Sequence, residues 1–358
     1  MYVGRVIVKN FLGYDFADVE FTPGTNVVFG ANAAGKTNLA DAVYLASLGR
    51  SSRLSRDKDM IKWGSEGGAS VSVRVHKMFS AHNVDVVIDE SGKKKVYIDR
   101  LPVARIGELM GAVNTVFFSP GEVRLVRGAP EDRRRFLDVA LSQESKTYFY
   151  TLKRYTSLLA QRNKILKDMR GKASLNSLLN IVDADLSRAG AFVTDMRRRY
   201  VEALLPLARA EHSRLTGGAE ELSLKYESLS GDSAEEFREK LCAARKNDER
   251  LEFTSVGAHR DDLKIASGGI DLRKYGSQGQ QRTAVLSMKL AEIAYFKAKT
   301  GETPVLILDD VLSELDSDRR RGLFEAIRGV QTILTDTEAV DIPDAAYYQV
   351  AGGKVIRK

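Results

Sequence analysis

Residues 30–37 read Gly-Ala-Asn-Ala-Ala-Gly-Lys-Thr, and this segment constrains the fold more than any other part of the sequence. It matches the phosphate-binding pattern G-x-x-x-x-G-K-[ST] at every required position. The apolar residues 27–29 predict a strand before it, and residues 38–48 predict a helix after it. A glycine-rich loop between a strand and a helix lets backbone N–H groups surround phosphate oxygens. The sequence therefore predicts a nucleoside triphosphate site, the alternative being an ordinary glycine-rich turn.

The residue types in this loop fit the chemistry of phosphate binding. Lys36 would neutralise the β- and γ-phosphates, and the hydroxyl of Thr37 would coordinate Mg²⁺. The predicted ATP-binding residues are Gly30, Ala31, Asn32, Ala33, Ala34, Gly35, Lys36, Thr37 and Asn38.

The apolar run 305–308, which is followed directly by Asp309 and Asp310, is a candidate second half of the site. Such a short continuous apolar run is typical of a strand buried on both faces of a mainly parallel sheet. We expect Asp309 to hold Mg²⁺ together with Thr37, and Asp310 to be the catalytic residue that orients or deprotonates the attacking water. Alone, the pattern is weak, because a buried strand that ends in an Asp-initiated turn is common. The phosphate-binding loop favours the catalytic interpretation.

A third segment, residues 276–283, precedes a helix predicted at 284–294. Ser277 is a good helix N-cap, Gly279 permits a close approach, and the helix N-terminus would present N–H donors to an anion. The alternative is a capped helix without a ligand. Residues 312–316, Leu-Ser-Glu-Leu-Asp, follow the two carboxylates directly and favour anion binding.

The first third of the chain predicts an antiparallel sheet layer. Residues 70–79 place valines on one face in strict alternation, and Glu90-Ser91-Gly92 is a hairpin turn signal. The other predicted strands of this part lie at 6–8, 16–21, 83–89 and 95–99. Near the end of the chain we expect a strand at 332–335 and a small hairpin that turns at 351–353.

The middle of the chain has a helical period. Apolar residues from Tyr148 to Met169 alternate steps of four and three with one interruption, at Arg162, and Gly171 ends the run. A second series, residues 175–207, keeps the same rhythm without interruption. We expect two antiparallel helices joined at Gly171, each of some 35 residues and about 50 Å long. The apolar stripe itself is typical of core helices.

Positive charge is concentrated in this region. The net charge of the chain is +7, but residues 124–172 contain thirteen basic and five acidic side chains, a local balance of +8. Such a segment is typical of a protein that binds a phosphate backbone, and a solvated helix face is the alternative. The basic residues are spread along helices without a groove-reading motif, so we expect contacts to phosphates and not to bases. The predicted DNA contacts are Lys153, Arg154 and Lys164.

Several other classes of protein are disfavoured by composition. Hydrophobic residues make up 43% of the chain, which supports ordinary buried cores. No stretch approaches the roughly 18 uncharged apolar residues of a membrane-spanning helix, and residues 1–10 do not resemble a signal peptide. We therefore expect a cytoplasmic protein without a membrane partner. The single cysteine, Cys242, and four scattered histidines disfavour structural zinc and cysteine-protease chemistry.

The segments 30–37, 276–283, 305–310 and 312–316 follow one another as the P-loop, the signature, the Walker B strand and the D-loop do in the ABC-type ATPases. In this order of motifs the sequence resembles that class of protein. A closer resemblance is to the RecF family of bacterial recombination mediators, which is related to the SMC and double-strand-break repair ATPases. It spans essentially the whole chain and is supported by residues 35–39, 48–51, 118–120, 128–130, 133–138, 257–262, 276–280 and 308–310. The sequence departs from the family pattern at Asp41, where Glu is usual, and at Ala258, where Pro is usual. Residues 118–122 also lack the glutamine of the ordinary ABC Q-loop, so the sequence does not identify the residue that senses the γ-phosphate.

The resemblance implies an α/β fold, an ABC-type ATPase head with a mixed sheet plus an antiparallel β layer and an inserted α-helical lobe. We place the head at 1–122 and 253–358 and the lobe at 123–252. The implied ligands are ATP and Mg²⁺. The signature residues Ser277, Gln278, Gly279 and Gln280 would contact the ATP of a second copy, which makes the protein an ATP-dependent homodimer.

The implied function is recombinational DNA repair. The dimer would bind double-stranded DNA near gaps, act as a weak DNA-stimulated ATPase, and help load the RecA recombinase with RecR and RecO. One alternative is the ATPase subunit of an ABC transporter, but 240 positions and a basic helical insertion separate Thr37 from Ser277, far more than in such subunits. The other is an SMC-like chromosome-organising ATPase, which requires much longer coiled-coil arms.

Overall fold

The computed structural model describes residues 1–168 and 175–358, and these fall into two compact units. Unit 1 comprises Met1–Glu122, Ala210–Ala219 and Val285–Lys358, and unit 2 comprises Val123–Arg209 and Glu220–Ala284. The units differ from the boundaries proposed from sequence in two places, because residues 210–219 group with unit 1 and residues 253–284 with unit 2.

The strands are β1 (Tyr2–Phe11), β2 (Tyr14–Glu20), β3 (Thr25–Phe29), β4 (Ala69–His76), β5 (Ala81–Ile88), β6 (Lys94–Ile98), β7 (Leu101–Pro102), β8 (Thr115–Phe118), β9 (Leu222–Glu227), β10 (Asp262–Ser267), β11 (Ile270–Asp271), β12 (Val305–Asp309), β13 (Thr332–Asp336), β14 (Ala346–Ala351) and β15 (Lys354–Arg357). The helices are α1 (Lys36–Leu48), α2 (Arg124–Arg127), α3 (Pro130–Glu144), α4 (Lys146–Asp168), α5 (Leu175–Thr216), α6 (Ala234–Leu251), α7 (Leu272–Tyr275), α8 (Gln278–Thr300) and α9 (Ser317–Ala326).

One sheet of unit 1 is antiparallel throughout, with the strand order β2-β1-β4-β5-β6-β7. Val6, Val73 and Val84 lie in register on three adjacent strands and are fully buried. The predicted antiparallel layer and the hairpin at Ser91-Gly92 are therefore confirmed. The strand expected at 70–79 ends at His76, because Met78 and Phe79 lie exposed in the turn that follows.

The second sheet of unit 1 has the order β15-β14-β3-β13-β12-β8 and is parallel except for the β14–β15 hairpin. All five residues of β12 are buried, as predicted for the apolar run before Asp309. Asp309 pairs with Thr335, and Asp336 pairs with Phe29. The carboxyl ends of β3, β12 and β13 therefore meet at one edge of the sheet, which is where ligands bind in open parallel sheets.

Helix α1 begins inside the glycine-rich loop and contacts strands of both sheets of unit 1. Almost all of its residues are buried, which explains why its sequence is apolar on every face. It ends at Gly49, whose φ of 66° allows its N–H to donate to Leu45 O at 2.8 Å. The buried helix fixes the direction in which its N-terminus points.

The two long helices of unit 2 run antiparallel. Ile165 and Leu166 of α4 pack with Leu179 and Val182 of α5. The predicted lengths were wrong: α4 has 23 residues, about 35 Å, and α5 has 42 residues, about 63 Å. Helix α5 continues through Pro206 and ends before Gly217, which has a left-handed φ of 63°. The predicted junction at Gly171 and the predicted apolar residue Met169 lie outside the described residues.

The interruption of the apolar pattern at Arg162 has a structural cause. This side chain is fully buried, and its Nε donates to Asp183 and its Nη1 to Asp248, both at 2.6 Å. Arg162 Nη1 also donates to Thr254 Oγ1 at 3.0 Å. Arg162 is therefore an internal cation of unit 2 and adds nothing to the positive surface.

Candidate functional site

The glycine-rich loop connects β3 to α1 at the carboxyl edge of the parallel sheet. Gly30 and Gly35 have φ values of 154° and 116°, a region that side chains rarely allow. A Cβ at Gly30 would also lie 2.2 Å from Val350 O, and one at Gly35 would lie 3.0 Å from the hydroxyl of Tyr14. The loop therefore requires glycine at both positions. All nine predicted ATP-binding residues, 30–38, form this one loop and the start of α1.

Lys36 lies at the centre of the loop. Its Nζ donates to Gly30 O at 2.7 Å and to Ala31 O at 2.9 Å, so the ammonium group is held over the loop. An ammonium in this position can donate to phosphate oxygens that the loop encloses. The hydroxyl of Tyr14, a residue that no sequence motif indicates, supports the loop by donating to Gly35 O at 2.9 Å.

Thr37 and Asp309 meet as predicted for a shared metal ion. Thr37 Oγ1 donates to Asp309 Oδ1 at 2.8 Å, and Thr335 Oγ1 donates to the same oxygen at 2.7 Å. A hydroxyl beside a carboxylate provides hard oxygen donors, the set that Mg²⁺ prefers in phosphate-binding sites. The residues present therefore fit Mg²⁺, and Thr37 and Asp309 are the side chains that would hold it.

Asp310 follows directly in an unusual conformation, with a φ of 55°. Its N–H donates to both Thr335 O and Thr335 Oγ1 at 3.1 Å, so the neighbouring strand holds this strained backbone in place. Partial burial, followed by the negative charges of Asp336 and Asp309, raises the pKa of Asp310 above its ordinary value, against the opposing charge of Lys36. A carboxyl group with a raised pKa is a better proton acceptor than an ordinary aspartate.

Thr335 is a second residue of this site that the sequence does not predict. It bonds to both Asp309 and Asp310, yet it lies in a buried strand without a recognisable motif. Two other carboxylates of unit 1, Glu122 and Asp336, have partners of their own. Glu122 Oε2 pairs with Lys289 Nζ at 3.0 Å, and Asp336 Oδ1 accepts the N–H of Thr337.

Asp41, one of the departures from the family pattern, is a structural residue. Its side chain is fully buried one turn after the loop. Its two carboxylate oxygens accept the hydroxyl of Ser51 at 2.6 Å and the N–H of Ser52 at 2.7 Å. Asp41 therefore anchors the segment that follows α1.

A cleft of about 1130 Å³ lies beside the loop in unit 1 and is lined by Asn38, Arg53, Lys62 and Trp63, among others. Arg53 Nη2 donates to Asn38 Oδ1 at 2.9 Å. Trp63 is 97% exposed, an unusual state for the one tryptophan of the chain. Cationic and aromatic side chains are thus available next to the phosphate-binding loop.

The signature segment, Ser277–Gln280, starts helix α8 and belongs to unit 2. Ser277 Oγ accepts the N–H of Gln280 at 3.2 Å, while Gln280 Oε1 accepts the N–H of Ser277 at 2.9 Å, so the two residues cap the helix reciprocally. Gln280 Nε2 also donates to Glu220 Oε1 at 2.8 Å. The side chain of Gln280 is thus engaged within its own unit, whereas Ser277 and Gln278 are exposed.

The exposed face of α4 carries a cationic stripe, defined here as Lys146, Lys153, Lys164 and Lys167. Their spacing of seven, eleven and three residues keeps them on one side of the helix. Arg154, the third predicted DNA contact, lies beside this stripe and pairs with Asp185 at 2.9 Å. Arg133 and Arg162 of the segment 124–172 likewise pair with acids from outside it, Arg133 with Asp262 and Arg162 with Asp183 and Asp248. Arg170 and Lys172 lie outside the described residues.

Comparison with known proteins gives a consistent result over nearly the whole chain. The sequence family described as "RecF/RecN/SMC N terminal domain" matches residues 2–335. The chain is 41% identical over 337 residues to the DNA replication and repair protein RecF of Agathobacter rectalis, covering 94% of this chain and 92% of that protein. It is 37% identical over 366 residues to the RecF of Clostridium botulinum, and the match covers 100% of both chains.

Solved structures agree with the sequence comparison. The recombination mediator protein RecF of the RecFOR pathway, solved with ATP, has a TM-score of 0.93 and 32% sequence identity and covers 100% of this chain and 97% of that one. An Smc head domain from Pyrococcus furiosus has a TM-score of 0.59 at 17% identity, covering 100% of this chain and 96% of that one, which shows a shared fold alone. The predicted ABC-type head with its inserted helices is therefore confirmed. In the described parts of the chain, 1–168 and 175–358, no helix is both long and apolar enough to cross a membrane.

Proposed function

The chain belongs to the RecF family of DNA replication and repair proteins, and from this we propose that it is an ATP-gated clamp on duplex DNA. ATP binding would drive two copies to dimerise on double-stranded DNA near gaps, and slow hydrolysis would release them. The single observation that carries the proposal is the meeting of Thr37 and Asp309 at 2.8 Å, which assembles both halves of a nucleotide site in one chain.

The loop residues would bind and orient the triphosphate. Backbone N–H groups of residues 30–37 and the ammonium of Lys36 would donate to the β- and γ-phosphate oxygens. When bound between Thr37 and Asp309, Mg²⁺ would supply positive charge against the phosphate oxygens. Asp310, held by Thr335, would orient the attacking water and accept its proton. Hydrolysis would thereby depend on a residue that ATP binding does not need.

Dimerisation would complete the site. The exposed Ser277 and Gln278 at the N-terminus of α8 would contact the triphosphate held by a second copy. Because each nucleotide would then touch both protomers, ATP would stabilise the dimer and its hydrolysis would release it. Ser277→Arg, which places a long side chain at this contact, should leave ATP binding by the monomer intact and prevent ATP-dependent dimerisation.

Duplex DNA would bind along the cationic stripe of α4. Lysines on an exposed helix face contact phosphates without reading bases, which suits a repair protein that must act at any sequence. A dimer would present two such stripes to one duplex, so ATP should also tighten DNA binding. We further propose RecR and RecO as partners in helping to load RecA, since solved relatives are described as belonging to the RecFOR pathway.

The decisive experiment measures the ATPase rate of the purified protein with and without duplex DNA, and its sedimentation with and without ATP. We expect a slow rate that duplex DNA increases, and a dimer that forms only with ATP. A protein that hydrolyses ATP equally fast without DNA and stays monomeric would contradict the proposal. The same assay with single-stranded DNA tests the preference for duplex.

A further inference from the structure

The turn between α2 and α3, residues 127–130, is held by a sterically required glycine and by several hydrogen bonds. A Cβ at Gly128 would lie 2.1 Å from Asp132 Oδ2 and 2.5 Å from Arg124 O, so no other residue fits there. Gly128 N donates to Arg124 O at 2.7 Å, and Ala129 N donates to Asp132 Oδ2 at 3.1 Å. Neither the nucleotide site nor the cationic stripe uses this turn.

An ion pair with one buried partner connects the turn to the small sheet of unit 2. Arg133 is only 3% exposed, and its Nε and Nη2 donate to the two carboxylate oxygens of Asp262 at 2.5 and 2.9 Å. The third nitrogen, Nη1, donates to Gly128 O at 3.1 Å. Asp262 is the first residue of β10, so the position of Arg127 is set by a strand of the sheet.

Arg127 uses this fixed position to hold one residue of α8. Its Nε donates to Oε1 of Gln281, a buried residue that follows the signature segment directly. The amide nitrogen of Gln281 donates in turn to Leu272 O at 2.7 Å, and Gly276 N donates to the same oxygen at 3.2 Å. Gln281 therefore closes the loop from Leu272 to the start of α8, and Arg127 fixes Gln281.

We infer that Arg127 is a positioning residue for the signature segment and acts through Gln281. This inference rests on the proposed function, because it assumes that Ser277 and Gln278 meet the nucleotide of a second copy. A helix N-terminus binds an anion well only where its N–H groups are aimed in advance, since mobile donors must be ordered during binding. The hydrogen bond from Gln281 to Leu272 O stays within this loop, whereas the bond from Arg127 links the loop to α2.

The test compares Arg127→Ala with Arg124→Ala, a matched control on the same short helix. Arg124 is exposed and pairs with Asp132 at 3.5 Å. Sedimentation with the slowly hydrolysed analogue ATPγS gives the dimer dissociation constant, and nucleotide titration of dilute monomer gives the affinity of the phosphate-binding loop. We expect Arg127→Ala to weaken dimerisation at least about tenfold, the scale of one charge-assisted hydrogen bond, with monomer affinity unchanged. The control should behave as wild type.

A double-variant comparison separates positioning from direct contact. Gln281→Met removes both hydrogen bonds of the amide and should weaken dimerisation about as much as Arg127→Ala does. The double variant should weaken dimerisation no more than either single variant. Arg127→Lys keeps a cationic donor and should recover most of the dimer affinity that Arg127→Ala loses. A general loss of stability would not be recovered in this way. Urea unfolding of each variant checks that it is folded.

Three outcomes overturn the inference. Wild-type dimerisation by Arg127→Ala would show that the link has no role. Losses that multiply in the double variant would show that Arg127 acts separately from Gln281, for example by touching the nucleotide itself. A wild-type protein that binds ATPγS but never dimerises would overturn the proposed function, and this inference with it.

Discussion

Thr37 Oγ1 lies 2.8 Å from Asp309 Oδ1, although the two residues are 272 positions apart in the chain. The distance follows from the parallel pairing of β12, β13 and β3, which brings the end of β12 to the level of the glycine-rich loop. Thr335 on the intervening strand bonds to the same carboxylate oxygen at 2.7 Å. We therefore expect single substitutions at this edge to separate nucleotide binding from hydrolysis.

Lys36→Met is expected to abolish ATP binding. The substitution keeps the length of the side chain but removes the ammonium that lies over the loop, 2.7 Å from Gly30 O. Titration with a fluorescent ATP analogue should show at least about a hundredfold loss of affinity, the scale of a buried charged contact. Lys297→Met, at an exposed lysine of α8 in the same unit, is the control and should bind normally. Wild-type affinity in Lys36→Met would place the nucleotide elsewhere.

Asp310→Asn is expected to keep ATP binding and lose turnover. The amide preserves the shape of the side chain and its backbone hydrogen bonds to Thr335 but cannot accept a proton. We expect kcat to fall about a hundredfold or more, in the range of general-base contributions, and the ATP-bound dimer to persist. Single-turnover kinetics and sedimentation measure the two effects. An unchanged kcat would move the role to another group, with Asp336 the next candidate.

The geometry of the glycine-rich loop could be predicted because its requirements are local. Gly30 and Gly35 are needed for backbone angles, and Lys36 and Thr37 follow at fixed positions, so a short motif contains them all. Thr335 could not be predicted, since its role depends on the pairing of β13 with β12, and threonine is an ordinary residue in a strand. The sequence therefore locates the loop and the carboxylates but not the residue that connects them.

In the helical region, the sequence predicts the helices but not the long-range contacts that hold them. Periodicity predicts both helices and their antiparallel packing, but Arg162 reads as an interruption because its partners, Asp183 and Asp248, are 21 and 86 positions away. The grouping of residues 253–284 with the helices follows from the pairing of β10 with β9, which is equally long-range. The local periodicity of the sequence predicts neither the ion pairs of Arg162 nor the pairing of β10 with β9.

Arg162→Met is expected to destabilise the protein strongly. It would leave Asp183 and Asp248 buried without their shared cation, and breaking a buried ion pair in this way costs about 3–5 kcal/mol. Urea unfolding measures the loss. Arg154→Met, which breaks the exposed pair with Asp185, is the matched control on the same helix and should cost less than about 1 kcal/mol. Equal effects of the two substitutions would contradict the internal role of Arg162.

His259 is expected to make stability depend on pH. Its Nε2 donates to Thr254 O at 3.0 Å and its Nδ1 accepts the hydroxyl of Tyr155 at 2.7 Å, an arrangement that fits the neutral ring. Burial, followed by the charges of Arg260 and Arg134, lowers the pKa of His259 from 6.5 to about 4.

The sign of this effect follows from the lowered pKa. Between pH 6.5 and 4 the unfolded chain binds the proton first, so the contribution of His259 is complete above pH 6.5 and is lost as the pH falls towards 4. The loss amounts to at most about 3 kcal/mol. Urea unfolding of wild type and His259→Asn at several pH values measures it. Identical pH slopes for the two proteins would rule out His259 as the source.

Neutralising the cationic stripe is expected to reduce the salt dependence of DNA binding. For duplex DNA, log K falls with log[salt] at a slope of about −0.9 for each phosphate contact, so replacing Lys146, Lys153 and Lys164 with Gln should flatten the slope by about 2.7. Lys93, Lys95 and Lys297, three exposed lysines of unit 1, provide a charge-matched control triple. If the stripe variant keeps both the affinity for DNA and the salt slope, the exposed face of α4 is only solvated. The DNA surface must then be sought around Arg50, Arg53, Arg56 and Lys58. The last three of these residues line the cleft beside the loop.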